Sequence, residues 1–327
     1  MTPALIAQAQ DRLAGVVRRT PLLSSPFLDE IAGRRVLVKA ECLQHTGSFK
    51  FRGAWSAVSA LPEGTGGVIA YSSGNHAQGV ALAARMRGLP AVIVMPSDAP
   101  AVKRANTAAL GAEVVLYERH VDSREEIGDR IAAERGLTLI RPFDDPQVIA
   151  GQASCGIEIA DAAPAEGLDA AEVLVCCGGG GLSAGIALAL EARAPGMRVR
   201  TVEPEGYDDT RRSLQAGHAV ANDTARPSLC DAIVTPQPGA LTLPILQRLA
   251  GPGLAVAEDE ALHAMALAFE RLRIVLEPGG AVALAAALWH GAALRDGPVV
   301  AVATGGNVDP AVHIRALDRF ATKGETP

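Results

Sequence analysis

The sequence predicts an α/β fold of open, mostly parallel sheets with helices on both faces. Three observations predict it. Short β-rich runs alternate with Ala/Leu-rich segments of helical period, which is the pattern of βαβ units. The runs are apolar, as strands covered on both faces are. Three of them end in turns rich in glycine or polar residues, and open α/β sheets bind ligands beyond the carboxyl ends of their strands.

In chain order the expected strands are Val36–Lys39, Val68–Tyr71, Ala91–Met95, Glu113–Tyr117, Leu137–Ile140, Val173–Cys177, Val199–Val202 and Val299–Ala303. Helices are expected between them, among them Asn75–Arg87, Arg124–Arg135, Leu182–Arg193 and Gly280–Leu294. The four strands between 67 and 147 read as a small domain inserted into a larger one made of 1–66 and 148–327. The uncharged run Val173 to Leu190 approaches the length of a membrane span. Its centre is Gly178-Gly179-Gly180-Gly181, however, and four glycines make a poor helix interior. Strand, glycine turn and helix is the better division.

With 327 residues, 49% of them hydrophobic and 20% charged, the chain can bury a sizeable core and is no disordered tail. A net charge of −6 gives no broad electrostatic footprint for nucleic acid. Five cysteines without CxxC spacing suit a reducing compartment and neither a disulfide framework nor a structural zinc site. The first residues show no apolar stretch of a secretion signal. A soluble, cytoplasmic protein without membrane or nucleic-acid partners is expected.

The glycine turn follows a strand and opens a helix, so its backbone amides and the helix dipole suit a phosphate. A plain tight turn needs only one or two glycines. A rival reading is the dinucleotide fingerprint Gly179-x-Gly181-x-x-Ala184, with Glu203 placed as a ribose-binding acid. It predicts a nicotinamide-dependent oxidoreductase. Near the N-terminus, Thr46-Gly47-Ser48-Phe49-Lys50-Phe51-Arg52-Gly53 sets a lysine among small and aromatic residues. Partial desolvation there would lower its basicity and free the amine as a nucleophile. Glu203, Asp209 and the carbonyl of Tyr207, on one short loop, offer hard oxygen ligands for Mg²⁺, Ca²⁺ or Mn²⁺. The plainer reading is an acidic turn in which Asp208 or Asp209 caps a helix at Thr210.

GSFKFRGA, SSGNHAQG, CGGGGLSAG and TGGNVD occur in that order. With them the chain resembles the pyridoxal-phosphate enzymes of fold type II that include serine/threonine dehydratases, serine racemase and 3-hydroxyaspartate dehydratase. The likeness runs from Arg19-Thr20-Pro21-Leu22 to Asn307-Val308-Asp309 and implies two open, twisted, mostly parallel sheets flanked by helices. It implies that Lys50 forms the Schiff base and moves the α-proton, and that Gly178, Gly179, Gly180 and Gly181 hold the phosphate. Asn75 would bond the cofactor's ring hydroxyl, and Thr304 would face its ring nitrogen where relatives have serine. Ser72, Ser73, Gly74 and His76 would bind the substrate carboxylate. Ser73 is either a proton donor on the face opposite Lys50, as racemisation requires, or a hydroxyl capping the next helix. Arg124 matches an arginine at the mouth of the site, suited to a second carboxylate, unless it is one more surface arginine in its charged run. The resemblance also supports the cation at Glu203, Tyr207 and Asp209.

His45, Phe51 and Trp55 depart from the family pattern around the lysine and are expected to reshape the substrate pocket. The implied reaction is β-elimination from a β-hydroxy amino acid, L-serine, L-threonine or 3-hydroxyaspartate, to a 2-oxo acid and ammonia. The alternative is an amino-acid racemase with dehydratase side activity. A homodimer is expected, and feedback by isoleucine is not.

Overall fold

A computed structural model describes residues 1–72, 74–99, 101–118, 121–223 and 226–321. Its strands are β1 (Leu22–Ser24), β2 (Val36–Ala40), β3 (Val68–Tyr71), β4 (Ala91–Pro96) and β5 (Glu113–Tyr117), followed by β6 (Thr138–Leu139), β7 (Glu172–Cys176), β8 (Arg198–Pro204), β9 (Leu254–Val256) and β10 (Val299–Ala303). Among the described residues they form two sheets, ordered β1-β2-β10-β7-β8-β9 and β5-β4-β3-β6. Every pairing is parallel except β1 with β2. The expected α/β class is therefore found. Two strands lie outside the expectation, β1 and β9, each of three residues on a sheet edge. The strand expected at Leu137–Ile140 is only Thr138–Leu139, because it pairs with β3 over two positions and no further.

The inner strands β2, β7 and β10 are buried along their whole length. Helix Pro278–Trp289 fills the space beside them and is buried from Pro278 to Leu288. It starts two residues earlier than expected, since Pro278 occupies the first turn where its missing N–H costs nothing. It ends at Trp289, ahead of a short 3₁₀ turn over Gly291–Ala293. Helices Pro146–Glu166 and Gly181–Arg193 cross closely, and glycine makes that possible. A Cβ on Gly156 would lie 2.8 Å from the Ile186 Cα, and one on Gly185 would lie 2.7 Å from the Ile149 carbonyl.

The uncharged run Val173 to Leu190 is β7, the glycine turn and the helix that follows. Among the described residues no helix is long and apolar enough to cross a membrane. All five cysteines are buried and unpaired. The interior also holds charged side chains, Arg200 paired with Glu172 among them, and the larger group lies behind Lys50. Arg52 donates to Glu41 and Glu158, both at 2.7 Å, and Lys39 pairs with Glu158 at 2.5 Å.

Candidate active site

The three unusual turns meet. A cavity of about 360 Å³ is lined by Lys50, Ser72, Gly74, Asn75, His76, Gly178 to Gly181 and Thr304, with Arg124 at its wall as well. Ser72 to His76, the glycines and Thr304 follow the carboxyl ends of β3, β7 and β10, Lys50 comes after β2 and Arg124 after β5, so both sheets contribute. The segment carrying Lys50 is stitched to the turn after β10. Phe49 N–H donates to the Thr304 carbonyl at 3.0 Å, Gly306 N–H to that of Gly47 at 2.9 Å, and Asn307 Nδ2 to that of Thr46 at 2.7 Å. Thr46 itself sits at φ 58, a left-handed conformation uncommon outside glycine.

Lys50 is the first residue of helix Lys50–Ser59, and its Nζ donates to the Pro142 carbonyl at 3.0 Å. Burial lowers its pKa to about 8, against the opposing pull of Glu277. A good fraction of the amine is therefore uncharged at mildly basic pH. His76 is buried, and its Nε2 lies 2.9 Å from the Ile140 carbonyl. A carbonyl can only accept, so that nitrogen carries the proton. Burial, and then the charge of Lys50, push the His76 pKa down to about 3, so the ring stays neutral. Ser72 Oγ accepts from Gly74 N–H at 3.2 Å. Ser73 lies outside the described residues.

The glycine turn is shaped for close approach. A Cβ on Gly179 would fall 2.3 Å from the Phe143 ring, and Gly180 has φ +88. Thr242 Oγ1 donates to the Gly179 carbonyl at 2.7 Å, which fixes the turn from behind. Just inside the helix, the buried Ser183 hydroxyl has no hydrogen-bond partner. A helix N-terminus, glycines without room for side chains and an orphaned hydroxyl fit a phosphate. The Asn75 amide and the Thr304 hydroxyl lie in the same cavity.

Glu203 does not serve the rival dinucleotide site. It is fully buried, and its carboxylate accepts the N–H groups of Thr210 at 2.9 Å and Arg211 at 2.8 Å. The helix there, Asp209–Ala216, is thus capped by Glu203 and not by Asp208 or Asp209. Asp208 instead pairs with Arg211 and Arg212. Asp209 Oδ1 accepts from Asn222, while its buried Oδ2 has no partner. Burial pushes Glu203 well up and Asp209 to about 6, and the two carboxyls repel. The orphaned Asp209 oxygen is the one local feature that would suit a cation. Both Glu203 oxygens are taken by backbone N–H groups, and no cluster of three or more His, Cys, Asp or Glu side chains is placed to hold a metal among the described residues.

His45, Phe51 and Trp55 do not reshape the pocket. Phe51 is fully buried between the rings of His45 and Trp55, at 5.1 and 6.3 Å. Trp55 Nε1 donates to the Arg12 carbonyl, and His45 Nε2 bonds that of Val16, so the group packs on the N-terminal helix side and off the cavity. Conversely, Lys103, Arg141, Phe143, Asp231 and Glu277 line the cavity and were not expected. No local pattern marks them, apart from Glu277 preceding Pro278-Gly279-Gly280 at a helix start.

A lysine of lowered basicity lining one cavity with a glycine turn at a helix start suits an enzyme site for a phosphate-bearing carbonyl cofactor. The chain belongs to the pyridoxal-phosphate dependent enzyme family, which it matches over residues 13–305. It is 42% identical to an L-threo-3-hydroxyaspartate ammonia-lyase from Pseudomonas sp, covering 93% of this chain and 94% of that one. Its fold superposes on a T.th. threonine deaminase with a TM-score of 0.88 and 45% identity, covering 94% and 99% of the two chains. Maize serine racemase matches with a TM-score of 0.89 and 34% identity, covering 97% and 96%.

Proposed function

We propose that this enzyme is an ammonia-lyase that converts a β-hydroxy amino acid to a 2-oxo acid and ammonia, with 3-hydroxyaspartate ahead of L-serine and L-threonine. The observation that carries the reading is the cavity lined by both Lys50, its basicity lowered, and the glycine turn. The likeness to the Pseudomonas enzyme supports the order of substrates. Bound pyridoxal phosphate supplies an electron sink for charge developing at the α-carbon.

Lys50, anchored beside Pro142, takes the α-proton as a free amine. Gly178 to Gly181 and Ser183 hold the cofactor phosphate, Asn75 its ring oxygen, and Thr304 its ring nitrogen. A threonine hydroxyl supplies no negative charge there, which favours rapid loss of the β-substituent over prolonged storage of charge. Ser72, Ser73, Gly74 and His76 receive the α-carboxylate through the loop's hydroxyls and backbone N–H groups, the neutral His76 ring giving its one N–H to the Ile140 carbonyl. Arg124 stands at the mouth, its Nε already on Glu125 at 2.7 Å. Glu203, the Tyr207 carbonyl and Asp209 hold Mg²⁺ or a similar cation. Residues 67–147, which contain the smaller sheet, form the small domain against 1–66 and 148–327. The protein is a cytoplasmic homodimer.

A second reading, a serine-type racemase with dehydratase side activity, draws on the likeness to maize serine racemase and on Ser73. The test is to incubate the holoenzyme with the three amino acids, following 2-oxo acid release and the chirality of recovered substrate. Borohydride fixation and peptide mapping, in parallel, should find the cofactor on Lys50. Inverted serine without keto acid would replace the lyase by the racemase, and an adduct elsewhere would remove Lys50 from its role.

A further inference from the structure

Apart from Lys50, three cations line the cavity: Lys103, Arg124 and Arg141. Two of them are already engaged. Lys103 Nζ lies 2.9 Å from Asp231 and 3.9 Å from Glu277, and Arg124 is paired with Glu125. Among the described residues Arg141 has no carboxylate within ion-pair reach. Lys50 is likewise without an ion pair but donates to the Pro142 carbonyl, so Arg141 is the cation of the lining whose guanidinium is left without a partner among the described residues.

The backbone around Arg141 is held firmly. On one side the Ile140 carbonyl bonds His76 at 2.9 Å, and on the other the Pro142 carbonyl receives Lys50 at 3.0 Å. Arg141 thus springs from a segment fastened to two cavity side chains, while its own side chain remains exposed at the rim. A fixed base and a free guanidinium make a bidentate receptor for a carboxylate. The α-carboxylate already has the Ser72–His76 loop, which leaves the guanidinium for a second one.

We infer that Arg141 reads the β-carboxylate of a dicarboxylic β-hydroxy amino acid and so sets the preference of this site for 3-hydroxyaspartate over serine. The inference rests on the lyase reading and is tested by the ratio of kcat/KM for L-threo-3-hydroxyaspartate to that for L-serine, measured by 2-oxo acid release from the holoenzyme. Arg141→Met should lower that ratio roughly 10- to 100-fold, the range for losing charge-assisted hydrogen bonds. The fall should come mainly through KM for hydroxyaspartate, and Arg141→Lys should recover part of it. A ratio unmoved in Arg141→Met, or one that falls only in Arg124→Met, overturns the assignment.

A binding titration separates this failure from failure of the lyase reading. Aspartate carries both carboxylates without the leaving hydroxyl, and alanine lacks the second carboxylate. Each is titrated against the cofactor's visible band. If Arg141→Met erases a preference for aspartate in a protein that releases ammonia from no β-hydroxy amino acid, Arg141 keeps its role and the lyase reading falls. If serine is deaminated and no aspartate preference exists, the lyase reading stands and the role of Arg141 is overturned.

Discussion

The side-chain amide of Asn75 donates to the Glu277 carboxylate, 202 residues further along the chain. From the other end, Asn307 Nδ2 donates to Asn75 Oδ1 at 2.7 Å, so both ends of the amide are fixed. The fit is tight, since a Cβ on Gly305 would meet Glu277 Oε1 at 2.2 Å. The other oxygen of Glu277 has no hydrogen-bond partner. Burial raises the Glu277 pKa to about 7, with Lys103 pulling the other way.

Such a carboxyl makes stability depend on pH in a stated direction. Its folded pKa lies above the ordinary value of 4.5, so the folded chain holds a proton that the unfolded chain has lost. The contribution is complete below pH 4.5 and fades as pH rises through 7. Glu277→Gln removes this dependence while keeping an acceptor for Asn75. The stability of the variant relative to the parent apoprotein should therefore climb between about pH 5 and 8, by on the order of 2–3 kcal/mol. Urea unfolding at several pH values measures it, and a flat difference would refute the account.

Gly180→Ala probes the phosphate turn. Alanine at φ +88 costs about 1–2 kcal/mol, and its Cβ would sit 2.8 Å from Thr242 Oγ1, which holds the Gly179 carbonyl. Gly217→Ala is the control, because φ is +77 there and nothing lies within 4 Å. Both variants should melt lower, but only Gly180→Ala should lose the cofactor on dialysis, with affinity down at least about tenfold. Equal retention by both would mean that the turn is not the cradle.

The turns were legible in the sequence because each is local: a strand, a run of special residues and a helix start carry their own signal. Lys50, Asn75, Thr304 and the glycines needed only that the turns converge. Glu277, Asp231, Lys103 and Arg141 were not legible, since each sits in an ordinary segment and gains meaning only from a neighbour far along the chain. β1 and β9 escaped for a related reason, as three residues on a sheet edge show no period. Phe51 and Trp55 misled because proximity to Lys50 in sequence places them on the opposite side of its helix, against the N-terminal residues.

Asp209→Asn addresses the cation. With no cation present, Glu203 and Asp209 repel in a buried site, and Asn removes one charge while still accepting from Asn222. The chelated variant should melt higher than the chelated parent at about pH 7.5. Added Mg²⁺ should raise the melting temperature of the parent by several degrees and leave that of the variant unmoved. If Mg²⁺ does not shift the parent, the cation site does not exist.

Arg52→Met tests the buried cluster behind Lys50. Arg52 and Glu41 are fully buried, and the guanidinium also serves Glu158 and the Ser154 hydroxyl. Removing it leaves two carboxylates with Lys39 as their remaining cation, and breaking a buried pair in this way costs about 3–5 kcal/mol. The loss has a pH signature. Arg52 is the main attraction that holds the Glu41 pKa down against its burial. In the parent this contributes stability above the ordinary carboxylate range, which is lost as pH falls. In the variant the stranded carboxyl gains by taking up a proton, so the gap between parent and variant should narrow from about pH 7 towards about pH 4.5. Arg52 also stands two residues from Lys50 on the same helix, so surviving folded variant should bind the cofactor less tightly. A gap of less than about 1 kcal/mol at neutral pH, the worth of an exposed pair, would show that the cluster is not closed to water.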